Sequence, residues 1–289
     1  MGDQWTSQAS ASLGGGPTTA RVTLVEGSAF AVCAPNGDIS PLSAEGFFFR
    51  DSRFLSRWSL EVNGQVPEHL ATATPEPFSA IFVARTHPRP GRADSNLMVV
   101  RHRYVGRGMR EDLEVRNFSQ EPAYCAMTLS YGADFSDLFE VKAARATGVG
   151  ELEAEHVGGD LVWRHRHGSH RRSLRIALSQ PAVLDSNIAR FEVIVAPKGR
   201  WSLCQQFVCT IDDEEIEPRW LCGQPVSRAK PAERMAAWRR AVPVIDTDHE
   251  GLRAVVAVSA EDLGSLRIFD PDFPERAVVA AGAPWFMTL

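Results

Sequence analysis

Seven carboxylates in the first half of the chain are the residues best suited to acid–base work: Glu45, Asp51, Glu111, Asp112, Asp134, Asp137 and Glu140. Two opposed carboxyl groups can share the roles of proton donor and base. Abundance is not pairing, however, and in strand-rich sequences such acids usually sit in turns, on solvated faces or in ion pairs. Asp51 and Arg53 form the most suggestive polar pair. Residues two apart in an extended chain point to the same face, so a carboxylate–guanidinium contact is expected there. Such a pair either touches a ligand or holds the turn before the next strand. The structural role is favoured, and Asp51 and Arg53 are kept as candidate binding residues.

The stretch Arg164-His165-Arg166-His167-Gly168-Ser169-His170-Arg171-Arg172 concentrates imidazoles and guanidiniums. His165 and His167 share a strand face, which would suit a metal, but no third ligand is implied. Gly168-Ser169 falls where a hairpin turn belongs, so a solvated hairpin tip is the expectation. Neither a metal nor a cofactor is expected. The five cysteines, Cys33, Cys125, Cys204, Cys209 and Cys222, are odd in number and contain no Cys-x-x-Cys. That pattern favours reduced core thiols and a cytoplasmic setting over a disulfide frame. Cys204 and Cys209 lie five apart on opposite strand faces, so no bridge joins them.

A length of 289 residues with 44% apolar content supports one large or two smaller cores. The net charge of −5 and the pI near 5.9 argue against nucleic acid or an anionic membrane as partner. No apolar run approaches the roughly 18–20 residues that cross a bilayer. Residues 1–20 are Ser-, Thr-, Gly- and Ala-rich and lack the basic start and apolar centre of a secretion signal. They read as a disordered tail.

The elements that must position these groups are mostly strands. Turn clusters at Pro35-Asn36-Gly37-Asp38, Asn63-Gly64 and Pro197-Lys198-Gly199 punctuate the chain. Between them, strand-like runs are predicted over 28–34, 54–62, 78–84, 97–105, 109–117, 124–131, 138–143, 161–167, 173–178, 190–195 and 201–211. Leu113, Val115 and Asn117 share one face, with Glu114 and Arg116 on the other. Many strands with no helical period between them predict a mainly β fold, a large antiparallel β-sandwich over 21–211. From 212 to 289 the character changes to linker helices. Helix formers fill 231–240, and Thr247-Asp248-His249-Glu250 has the form of a capping box. Leu252, Val255, Val256, Ser259, Leu263 and Leu266 then recur at helical spacing. The last ten residues, ending Ala283-Pro284-Trp285-Phe286-Met287-Thr288-Leu289, are apolar and are expected to pack against something that follows them.

The segment Glu45-Gly46-Phe47-Phe48-Phe49-Arg50-Asp51-Ser52-Arg53-Phe54-Leu55-Ser56-Arg57-Trp58 resembles the signature of the N-terminal domain of bacterial glycogen debranching enzymes, the amylo-alpha-1,6-glucosidase-like family. Met109 to Phe118 is similar to a later family strand. Gly132-Ala133-Asp134-Phe135-Ser136-Asp137-Leu138-Phe139-Glu140-Val141-Lys142 resembles another family segment, and 259–286 resembles the approach to the family's helical barrel.

This resemblance implies an N-terminal β-supersandwich joined by linker helices to an (α/α)6 barrel, in enzymes that hydrolyse α-1,6 branch linkages of glycogen-like glucans. It also implies that the barrel, which carries the catalytic acids and would engage the α-glucan, is missing here. Glycoside hydrolysis needs two carboxyl groups roughly 6.5–9.5 Å or about 5–5.5 Å apart, and no such pair is expected within this chain. Trp58, Trp163, Trp201 and Trp220 could stack on sugar rings, but Trp58 and Trp201 lie in strand patterns that favour the core. Three functions compete. The leading one is a non-catalytic module that buttresses the barrel and shapes its substrate entrance, with an uncovered apolar face on the helix at 247–267 and at Trp285-Phe286. A second is a stand-alone carbohydrate-binding or interaction domain. A third is a mutarotase-like sugar enzyme with a His and a Glu on a concave sheet face.

Overall fold

The computed structural model describes residues 21–88, 94–145, 149–269 and 276–287. The tail expected over 1–20 lies outside these residues. β1 (Val22–Glu26), β2 (Ala29–Cys33), β3 (Gly46–Phe49) and β4 (Ser52–Leu55) form a four-stranded antiparallel sheet, each pairing with the next. β5 (Arg57–Val62) leaves it for a second layer. β6 (Glu68–Glu76), β7 (Ser79–Arg85), β8 (Leu97–Gly106) and β9 (Gly108–Asn117) follow as neighbours in the largest sheet. β10 (Ala123–Gly132) pairs with β5, and a short helix α1 (Leu138–Lys142) comes next. β11 (Glu151–Val157), β12 (Asp160–His167) and β13 (His170–Leu178) extend the large sheet, while β14 (Val183–Asp185) and β15 (Ile188–Val195) join β10. The twelve-residue β16 (Arg200–Ile211) inserts between β13 and β9, and β17 (Glu214–Glu215) pairs with its end. Helices α2 (Lys230–Ala241) and α3 (Glu250–Ser265) precede a small hairpin, β18 (Arg267–Phe269) and β19 (Ala277–Val279). The fold is mainly β, as the sequence predicts. No helix among the described residues is long and apolar enough to cross a membrane.

Period-two patterning builds the sandwich. On β9, Met109, Glu111, Leu113 and Val115 point inward, and on β16 Leu203, Gln205, Phe207 and Cys209 do the same. Opposite them lie Trp58, Leu60 and Val62 of β5 with Cys125, Met127, Leu129 and Tyr131 of β10, all in one buried cluster. The predicted strand over 54–62 is in fact two, broken at Ser56, whose N–H reaches Gly132 O at 2.7 Å. That break carries the chain from one sheet to the other.

The back of the large sheet is covered by the segment after β17. Trp220 packs on Phe78 and Tyr104 with ring centroids 5.1 and 5.3 Å apart, and donates from Nε1 to Val105 O. Arg110 reaches Leu221 O and Gln224 O at 2.7 and 2.8 Å. Cys204 and Cys222 are joined in a disulfide, their Cα atoms 5.9 Å apart. This corrects the expectation of five reduced thiols, although Cys33, Cys125 and Cys209 are free and buried. With that correction the cysteine pattern no longer supports a cytoplasmic setting.

Two further expectations change. Residues 138–143, read as a strand, form α1, because Asp137 accepts from the Phe139 N–H while Glu140 accepts from the Asp137 N–H. This reciprocal cap satisfies amides that a strand would have paired laterally. The cap of α3 is His249 rather than Thr247: its Nδ1 accepts from the Leu252 N–H at 3.1 Å, and Thr247 Oγ1 accepts from His249. α2 and α3 meet closely. A Cβ on Gly264 would lie 2.6 Å from the Trp238 ring, whose Nε1 donates to Ala260 O. Near the end, Ala280 and Met287 are buried against Phe30 and Phe48, with Trp285 partly buried beside them. Phe286 stays exposed, so within 280–287 the apolar end is docked on the sandwich through Ala280, Trp285 and Met287, while Phe286 is left uncovered.

Candidate functional site

Arg53 is almost fully buried at the start of β4, and its partner is Asp134, not Asp51. Its Nε lies 3.1 Å from both Asp134 carboxylate oxygens, and its Nη1 donates to Ser43 O and Glu45 O at 3.1 Å. Its Nη2 donates to Asp134 as well, so each guanidinium nitrogen is engaged, with a charge-assisted contact to the carboxylate. The side chain crosses directly over Gly46, where a Cβ would sit 2.6 Å from Arg53 Cδ. The Gly and the Arg of the first signature segment therefore require each other, and Arg53 ties that segment to Gly132–Lys142, 81 residues on.

Asp51 points elsewhere because of the turn it occupies. Phe49 pairs with Ser52, so Arg50 and Asp51 are the two turn residues, with φ of +45° and +62°. A two-residue hairpin turn of type I′ needs positive φ at both positions, and Asp tolerates it better than most side chains. This conformation ends the extended geometry that the Asp51–Arg53 pairing assumed. The Asp51 carbonyl instead accepts from the Leu138 N–H at 2.8 Å, seating α1. Partial burial, and then the neighbouring Asp137, push the Asp51 carboxyl above the usual carboxylate range.

Beside this junction lies a cleft of about 330 Å³ lined by Asp134, Asp137, Glu140, His165, His167 and Arg172, among others. Asp51 lies next to it, its carbonyl bonded to the Leu138 N–H directly after Asp137. The floor is Phe135, whose φ is +51°, a strained conformation for an aromatic residue of the kind that gathers at functional sites. Phe135 packs edge-on against Phe54 and stacks on His165 at 5.5 Å. His165 is not part of a solvated tip: its Nε2 meets Val149 O at 2.8 Å. His167 and His170 pair across the Gly168-Ser169 turn and are exposed. Chemically the cleft offers carboxylate, imidazole and guanidinium groups over an aromatic floor. That suits hydrogen bonding to hydroxyl-rich ligands better than proton transfer, because Asp137 and Glu140 are committed to capping α1 and Asp134 to Arg53.

The remaining inner-face acid is committed as well. Glu111, fully buried, accepts from Arg101 Nε and Arg103 Nε, both at 2.6 Å. Arg101 also reaches Asp38 at 2.7 Å and lies 3.4 Å from the Trp58 ring centroid. Both arginines donate to Gly37 O, at 3.0 and 2.7 Å. Gln205 Oε1 accepts from Trp58 Nε1 and Tyr131 OH across the layers. Burial alone would raise the Glu111 pKa, but the two guanidiniums outweigh it and hold the carboxyl below the usual range. The inner sheet face is thus filled, and its acid is bound by arginine rather than open beside a histidine. The mutarotase-like constellation is not built there. Sequence reasoning overlooked Arg101 and Arg103; the sign of them was two charged residues at inward positions of an otherwise apolar strand.

Fold and site together define a mainly β, antiparallel sandwich with a polar cleft at the junction of its two signature segments. Residues 24–206 match the family model of the N-terminal domain of (some) glycogen debranching enzymes, and the chain belongs to that family. No curated protein sequence matches it. Among solved structures, a protein described as a kojibiose phosphorylase from the human microbiome aligns at TM-score 0.41 and 6% identity, covering 84% of this chain and 35% of that one. One described as an aldose 1-epimerase from Escherichia coli K12 aligns at TM-score 0.39 and 9% identity, covering 66% and 99%. A galactose mutarotase related enzyme from Lactobacillus acidophilus aligns at 0.35 and 10%, covering 69% and 100%. Likenesses this distant carry no function.

Proposed function

We propose that the chain is the non-catalytic sandwich module of a glycogen-debranching-type glycoside hydrolase, docking a helical catalytic domain and lending its polar cleft to the α-glucan entrance. The observation that carries this reading is the family match across 24–206. Two features support it. Asp134, Asp137 and Glu140, the acids lining the cleft, are committed to structural bonds, which favours binding over cleavage as its chemistry. In addition, α3 presents Val255 and Val258, 62% and 61% exposed, beside a groove of about 430 Å³ lined by Trp238, Val242, Val244, Ile245 and Val256. An apolar face of that kind suits packing against another helical layer.

The test is glucose release from a branched α-glucan, measured for this chain alone and for the chain joined to a helical catalytic domain of the same family. Activity is expected only in the joined form. Turnover by the isolated chain would overturn the module reading. Calorimetry with maltotetraose separates the cleft's contribution: heat that disappears in R172A assigns the glucan contact to the cleft, and no heat at millimolar sugar removes it.

A further inference from the structure

A second cavity, of about 260 Å³, opens where the β1–β2 turn, the β8–β9 turn, the segment before α2, α2 itself and β18 meet. Among the described residues five cations line it, Arg107, Arg219, Lys230, Arg234 and Arg267, against one lining carboxylate, Glu26. The acids that act most on Arg107 are Glu26 and Glu217, against the like charges of Arg219 and Arg50. Two of the guanidiniums are held in place. Arg234 lies 3.9 Å from the Phe269 ring centroid and 3.8 Å from Glu26. Arg267 lies 4.5 Å from the Trp238 ring and donates from Nε to Gly264 O at 3.0 Å. The crowding leaves a mark on the charges. Burial, then Arg219, pushes Arg107 below the ordinary arginine range, and burial, then Arg234, does the same to Arg267. Burial also pushes the Glu26 carboxyl above the usual carboxylate range.

Like charges gathered in a half-buried hollow repel, and an anion placed among them relieves that repulsion while gaining charge-assisted hydrogen bonds. A single monovalent anion would leave most of the positive charge uncompensated, whereas a phosphoryl group brings close to two negative charges and several acceptor oxygens. We propose that this cavity binds a phosphate dianion, either inorganic phosphate or the phosphomonoester of a small sugar. The proposal is independent of the glucan-module reading, since it concerns a different face and different residues.

Calorimetry with inorganic phosphate and with glucose 1-phosphate, at ionic strength held constant with chloride, tests it. Saturable binding with a Kd of about 1 mM or below is expected, weakened about tenfold or more in R107Q/R219Q. Glucose 1-phosphate binding more tightly than phosphate identifies a sugar phosphate as ligand, and equal affinity identifies the phosphoryl group alone; both support the site. The thermal midpoint confirms that the double variant is folded. Should it unfold, K230Q at the exposed rim carries the test, and an unchanged affinity there overturns the proposal. No saturation by about 10 mM overturns it, as does equal affinity in R107Q/R219Q.

Discussion

Two arginines converge on one carboxylate at Glu111, inside the space between the sheets. With Asp38 on Arg101 the cluster is formally neutral, which makes its burial tolerable. Removing the central acid leaves two guanidiniums buried without it. Glu111→Gln is therefore expected to cost about 3–5 kcal/mol, read from urea unfolding; a loss within error would show that Asp38 and the Gly37 carbonyl compensate alone. The pH dependence has a definite sign. The folded pKa of Glu111 is lowered, so below the ordinary carboxylate range the unfolded chain binds the proton first. The stability that Glu111 contributes is present above that range and is lost as pH falls through its folded value. E111Q should flatten this acid limb, and an unchanged limb would assign it to other acids. At this scale the sequence was only partly legible. Arg53 makes a buried bond to Asp134 instead of the expected contact with Asp51. Its partner was misassigned because the positive φ at Arg50 and Asp51 abolishes the alternation on which neighbour arguments rest.

Elements differed in how openly the sequence announced them. β9 and β16 were plain, because one buried and one exposed face give strict alternation. β11, exposed along its whole length, and β6, exposed over most of it, have no buried apolar face to mark them and were not predicted. α1 was taken for a strand because its two buried residues, Leu138 and Val141, are too few to show a period, and only the Asp137 and Glu140 cap reveals the helix. The segment before α2 is a non-periodic strap, and its hold on the sheet came from residues considered separately. Cys204 alternates outward on β16, while Cys222 lies in a stretch with no regular structure, so nothing local paired them. The strap is fastened by that disulfide, by Arg110 and by Trp220. The disulfide closes a separation of 18 residues, for which loop-closure entropy gives about 3 kcal/mol. Reduction, or the double substitution C204S/C222S, should lower the thermal midpoint of the disulfide-bonded chain by roughly 5–10 °C. Proteolytic cleavage within 221–229 should rise in parallel. An unmoved midpoint would mean that Trp220 and Arg110 hold the strap without the bond.

Across the whole molecule, the sandwich buries its apolar residues efficiently while α3 does not. Leu252, Val255, Val258 and Leu263 are each about half exposed or more, and the α2–α3 connection adds Val244 at 93%. The helical spacing read from the sequence was correct, yet periodicity reports that a face is apolar, not that anything covers it. Here the covered face and the bare face belong to one helix. Gly264 and Ala260 settle against Trp238, and the valines point away. If the bare face serves assembly rather than folding, changing it should separate the two properties. V255E/V258E touches no buried contact, so its unfolding free energy should stay within about 1 kcal/mol of the parent chain. Binding of a hydrophobic dye and concentration-dependent self-association should both fall, and productive joining to a helical catalytic domain should be lost. A large drop in stability would instead make the face part of this chain's own core, and unchanged assembly would move the docking surface elsewhere on the sandwich. The two glutamates place charge where a partner would have to desolvate it, so loss of assembly without loss of fold is the outcome only a docking face produces.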